Sequence, residues 1–92
     1  RNSRVVDIVR ALTGYHLRLS IFDPIASPAE VRKTYNLESV SMLDYSKKFD
    51  AVIVAVYHTQ FAYVDYSSIL REPGVLFDVK GGLENELVDG RL

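Results

Sequence analysis

AVIVAV, residues 51–56, followed at once by Tyr57 and His58, is the stretch on which the fold turns. An apolar, β-branched run without a polar break suits a strand covered on both faces, whereas a half-exposed strand alternates. Strands of that kind belong to parallel sheets, and parallel neighbours are joined by crossovers that are usually helices. The flanking sequence should therefore supply helices.

It does so on both sides. Upstream, Val5, Ile8, Val9 and Leu12 recur at helical spacing behind Asn2 or Ser3, either of which can cap a helix. Asp7 near its start and Arg10 near its end suit the helix dipole, and Gly14 is the expected stop. Leu17, Leu19 and Ile21 alternate with Arg18 and Ser20, a strand with one greasier face that Pro24 ends. Ser27 before Pro28 starts a second helix, expected over Pro28–Tyr35. Residues 36–43 hold a short edge strand around 38–40, and 46–50 form a polar connection. Downstream, 65–71 read as a short helix, Pro73-Gly74 as a turn and 75–79 as the last buried strand. Beyond Gly81-Gly82 the tail is polar apart from Leu83, Leu87, Val88 and Leu92.

This alternation predicts an α/β fold: a three-layer, Rossmann-like parallel sheet with helices on both faces, forming one domain over residues 1–92. Right-handed crossovers gather the carboxyl ends of the strands on one edge, where ligands bind in such folds. Asp23, Tyr57, His58, Asp78, Val79 and Lys80 fall on that edge, together with Arg1 to Ser3 at the start of the first helix.

Composition narrows the function. Eleven Lys and Arg stand against 12 Asp and Glu, a formal net charge of -1, and the cations do not cluster, so no field for nucleic acid is expected. No apolar run approaches the length of a membrane span, and no signal-peptide pattern opens the chain, so a cytoplasmic setting without a membrane partner is expected. The absence of cysteine excludes a disulfide frame, a thiolate metal site and a cysteine nucleophile within these residues. Two histidines, with His16 expected away from the ligand edge, do not make a three-ligand metal site. The chain also opens directly on a helical pattern without an initiator Met, which reads as a piece of a longer polypeptide.

Each edge residue has a plainer reading. Asp23 before Pro24 starts an Asx-type turn in many proteins, and local sequence favours that reading. His58 fits a half-buried ring bonded to backbone as well as it fits a ligand contact. Lys80 alone would be a solvated lysine and Arg1 a fraying end. Tyr57, Phe61, Tyr63 and Tyr66 suit core and interface better than a base-stacking platform. No GxGxxG, Walker or GxSxG pattern occurs. From the residues alone the chain is an α/β domain with a polar ligand edge.

Four phrases in order, RNSRVVDI (1–8), IFDP (21–24), DAVIVAVYHTQF (50–61) and GVLFDVKG (74–81), resemble the carboxyl-terminal UDP-binding domain of the UDP-glucose/GDP-mannose dehydrogenase family. The resemblance is closest to the branch that oxidises UDP-N-acetylhexosamines for capsule and O-antigen polysaccharide. There the strand-end phrase is Asp-Val-Lys, as at 78–80, where UDP-glucose enzymes more often carry Asp-Gly-Arg. The closing Asp89-Gly90-Arg91-Leu92 looks like the terminus of that branch, and Arg91 joins the edge candidates.

The resemblance implies an NAD-dependent oxidation of a sugar C6 alcohol to a carboxylate, with the catalytic cysteine and the NAD site on amino-terminal and central domains that these residues lack. It implies that Lys80 and Arg1 face the nucleotide part of a UDP-sugar, with His58, Asp23 and Arg91 as weaker edge candidates. Asp23-Pro24 matches the family's Tyr-Asp-Pro with Phe22 in place of Tyr, and is expected to serve mainly as a turn. The domain's first strand should precede Arg1, so the sheet is expected to lack it, and the enzyme to be a homo-oligomer. A second hypothesis is a non-catalytic, Rossmann-like nucleotide-binding or assembly module.

Overall fold

The computed structural model describes residues 3–79, 81–83 and 88–91. They divide into two compact units, Arg1–Asp44 and Tyr45–Leu92. Every paired strand in either unit is parallel to its neighbour, so the α/β parallel class holds.

In the first unit, helix α1 runs Ser3–Thr13, with Arg10 in its last turn. Asp7 lies beyond the first turn, so its support from the dipole is weaker than expected. The left-handed residue after the helix is His16, with φ 58°, two positions past the expected Gly14. Of the alternating stretch after it, only Ile21–Phe22 pairs as a strand (β1). Its partner is β2, Ser39–Val40, in the register Ile21 to Ser39 and Phe22 to Val40. Between them α2 occupies Pro28–Tyr35, the expected span. Its start is a complete capping box: Glu30 N–H donates to Ser27 Oγ at 3.2 Å and Ser27 N–H to Glu30 Oε1 at 3.1 Å. Asn36, with φ 58°, closes it in the left-handed conformation that asparagine tolerates. Val31 is the buried side chain of this helix, and Arg32 pairs with Glu38 beyond its end.

The second unit holds the three-stranded sheet β3–β4–β5, where β3 is Phe49–Val54, β4 is Leu70–Asp78 and β5 is Gly90–Arg91. A 3-10 helix at Thr59–Tyr63 and helix α3 at Tyr66–Ile69 make the crossover from β3 to β4. The core is Val54, Tyr66, Ile69, Leu76 and Leu83, with Leu76 fully buried.

Two expectations are corrected here. The apolar run at 51–56 is not covered on both faces: Ala51 and Ile53 are exposed while Val54 is buried. The cause is a bare face: Ala51, Ile53 and Val75, the partner of Ala51 in the central strand β4, share one face of the sheet and are all exposed. β3 is also an edge strand, with no strand on its other side among the described residues. Pro73-Gly74 is not a turn between elements but part of a bulge inside β4. Phe49 pairs Leu70 and Ala51 pairs Val75, so residues 71–74 loop out opposite Asp50. Gly74 is needed there, because a Cβ would lie 2.5 Å from the Arg71 carbonyl oxygen. The last buried strand, expected over 75–79, is β4, which starts earlier at Leu70 and ends at Asp78, and the short β5 from the tail pairs beyond it. Among the described residues no helix is long and apolar enough to cross a membrane.

Candidate functional site

In the second unit the parallel order places the carboxyl ends of β3, β4 and β5 on one edge. The chain leaving β3 passes Tyr57 and reaches His58, which caps the 3-10 helix. Its Nδ1 accepts the Gln60 N–H at 3.1 Å, and its carbonyl accepts the Phe61 N–H at 2.9 Å. With Nδ1 as acceptor, the neutral ring must carry its proton on Nε2. The ring meets Phe61 edge-on, centroids 5.8 Å apart. The half-buried ring bonded to backbone is therefore the arrangement present.

At the end of β4 stands Asp78, fully buried. Its Oδ1 accepts the Gly81 N–H at 2.9 Å and its Oδ2 the Leu83 N–H at 2.8 Å. A buried carboxylate is costly unless hydrogen bonds satisfy it, and backbone donors curled around it do so. Gly81 makes that curl possible with φ 76°. Gly82 lies directly beneath the Tyr57 ring, where a Cβ would come within 2.0 Å of Tyr57 Cδ1. The loop after β4 is thus held from the inside by Asp78 and from the outside by Tyr57.

Tyr66 lies under the same edge. Its hydroxyl donates to the Phe61 carbonyl at 2.6 Å. Burial, then the charge of Asp78 and the phenols of Tyr45 and Tyr57, push its pKa up to about 12. Of the four aromatics assigned to core and interface, only Tyr66 is core; Tyr57 and Tyr63 are exposed and Phe61 is half-buried.

The third strand end belongs to Asp89-Gly90-Arg91. Asp89 mimics a further rung of the ladder: its N–H donates to the Leu76 carbonyl and its Oδ2 accepts the Leu76 N–H, both at 2.7 Å. Gly90 opposes Phe77, whose ring would stand 2.6 Å from a Cβ at position 90. The Arg91 backbone pairs with Asp78.

Asp23 belongs to the first unit. Its Oδ1 accepts the N–H groups of Ile25 and Ala26 at 2.9 and 3.0 Å, an Asx turn, and its own N–H donates to Val40. Both lone-pair directions of that oxygen face backbone, as a turn residue requires. Of the expected edge residues, Tyr57 seats on Gly82 of the loop that Asp78 organises, and His58 follows it in the chain. Lys80 and Arg1 lie outside the described residues, as does the side chain of Arg91. Asp78 was placed on the edge by sequence but not singled out. The signal was there: an acid ending an apolar strand with Gly81-Gly82 shortly after it, a pair that lets the chain turn back and aim the Gly81 and Leu83 N–H groups at the carboxylate.

Among the described residues no three His, Asp or Glu side chains converge on a point that could hold a metal ion. The Gly81 and Leu83 N–H groups, which could have cradled an anion, are occupied by Asp78.

Residues 1–85 match the family model described as the UDP-glucose/GDP-mannose dehydrogenase family, UDP binding domain. The chain is 39% identical over 95 residues to a UDP-N-acetyl-D-glucosamine 6-dehydrogenase of Salmonella typhi, covering 100% of this chain and 22% of that protein. A protein of the same name from Pseudomonas aeruginosa is 34% identical over 96 residues, again covering 100% of this chain and 22% of the relative. Protein CapL of Staphylococcus aureus is 28% identical over 88 residues, covering 94% of this chain and 20% of its own length. The chain thus spans about a fifth of the relatives it matches. No solved structure gives a significant match.

Proposed function

The chain belongs to the UDP-glucose/GDP-mannose dehydrogenase family, in the part described as its UDP binding domain, and from that membership we propose that it holds the uridine diphosphate end of a nucleotide sugar within an NAD-dependent 6-dehydrogenase. The substrate is a UDP-N-acetylhexosamine or UDP-hexose, oxidised to the uronic acid for polysaccharide synthesis in the cytoplasm. The observation that carries this reading is the match over residues 1–85, supported by the names of two relatives that are 39% and 34% identical.

In this reading chemistry and binding are divided between domains. NAD and the cysteine nucleophile reside on amino-terminal and central domains of the same polypeptide, which assembles as a homo-oligomer. Lys80 and Arg1 supply cationic donors to the diphosphate or ribose, a task suited to charge-assisted hydrogen bonds. A strand from outside these 92 residues pairs with the side of β3 that has no strand among the described residues. The chain alone has no cysteine and no dinucleotide loop, so it reduces no NAD by itself.

The test is to follow NADH formation by the full polypeptide across a panel of UDP-sugars, with the 92-residue chain as control. Turnover of a UDP-hexosamine or UDP-hexose by the full polypeptide alone is expected. No turnover of any UDP-sugar, or turnover by the isolated chain, would overturn the reading.

A further inference from the structure

We propose that Asp78 is a positioning residue for the nucleotide end of the substrate, acting through the strand-end loop whose backbone its carboxylate fixes. The inference rests on the UDP-binding reading above and assigns a role within it.

Three observations carry it. Asp78 is fully buried, so its side chain is not itself a surface for ligand. Both of its oxygens are engaged by the loop that follows, through Gly81 N–H at 2.9 Å and Leu83 N–H at 2.8 Å. The Tyr57 ring then seats on Gly82, which no larger residue could replace without moving it. A loop pinned from both sides has a backbone of restricted freedom, which lowers the entropy lost when a ligand is bound at it. The carboxylate takes two of the loop's backbone donors, those of Gly81 and Leu83, which leaves them unavailable to a phosphate, and Lys80 is the cation that the sequence places in that loop. Removing one anionic oxygen frees one backbone donor and loosens the loop without touching the ligand.

The experiment is a double-mutant cycle in the full polypeptide with the UDP-sugar that proves to be its substrate. Asp78→Asn should raise the KM for that sugar roughly tenfold, leaving kcat and the KM for NAD within about twofold. In a Lys80→Ala background the same substitution should change the KM by less than about twofold, because a loosened loop has nothing left to misplace. An unchanged KM in Asp78→Asn overturns the proposal. So does an equal increase in both backgrounds, which would mark a general loss of structure. If Lys80→Ala itself leaves the KM unchanged, the UDP-binding role of this edge falls and the proposal with it. If Lys80→Ala acts and Asp78→Asn does not, only the positioning role falls. Should Asp78→Asn fail to fold, Gly82→Ala carries the same expectations, since it disturbs the loop from the exposed side by displacing Tyr57.

Discussion

Tyr66 joins two parts of the second unit through one hydroxyl, and its ionisation gives the residue scale a sharp test. Its pKa rises from 10.0 to about 12 on folding. A raised pKa means that the neutral form is the one the fold favours. The stabilisation is fully present below pH 10 and is lost as pH rises from 10 towards 12. A shift of that size corresponds to about 2–3 kcal/mol across the window. Tyr66→Phe should cost about 1 kcal/mol at pH 8 by losing the bond to Phe61, yet close the gap to wild type at high pH. Denaturant unfolding of both proteins at pH 8 and pH 11 measures this, and a constant difference between them would contradict it. Gly90 offers a steric counterpart. Gly90→Ala forces the Phe77 ring away from a Cβ at 2.6 Å and should cost about 1–3 kcal/mol in thermal or denaturant unfolding. Asp23 and His58 were legible at this scale because their partners lie two or three residues away, at Ile25, Ala26 and Gln60. Asp89 was not, because its partner is Leu76, 13 positions upstream.

Elements follow the same division between local and distant causes. Helix α2 was readable to the residue because Ser27, Pro28, Glu30 and Asn36 fix its ends from within. Ser27→Ala should destabilise that helix by about 1 kcal/mol, seen as faster amide exchange at Glu30 and Val31. Unchanged exchange there would show that the cap is not holding the helix. The parallel strands were legible as apolar runs, but their burial was not. AVIVAV predicts cover on both faces, while Ile53 is 39% exposed on a face where Val75 of the central strand β4 is exposed as well. β5 was hidden for a related reason: two residues, one of them glycine, carry no strand signal until β4 is beside them. The bulge at 71–74 was read as punctuation from Pro73-Gly74, and only the register with β3 shows it to lie inside a strand.

At the scale of the whole molecule, β3 has no strand on its outer side among the described residues. If a strand from elsewhere in the full polypeptide pairs with β3, amides across residues 51–54 should exchange more slowly in the full protein than in the 92-residue chain. Equal exchange would leave the edge open in both. The candidate site divided in the same way. The edge itself was legible, since parallel strands dictate where it lies, whereas the burial of Asp78 depended on a loop curling back from Gly81 to Leu83. The central claim is that this edge receives UDP through Lys80. The direct measurement is calorimetric titration of UDP, without NAD, into the full polypeptide and its Lys80→Ala variant. Losing one charge-assisted contact of about 1.5–3 kcal/mol should weaken binding roughly ten- to a hundred-fold. Equal affinity in the two proteins, or no UDP binding by either, would contradict the claim.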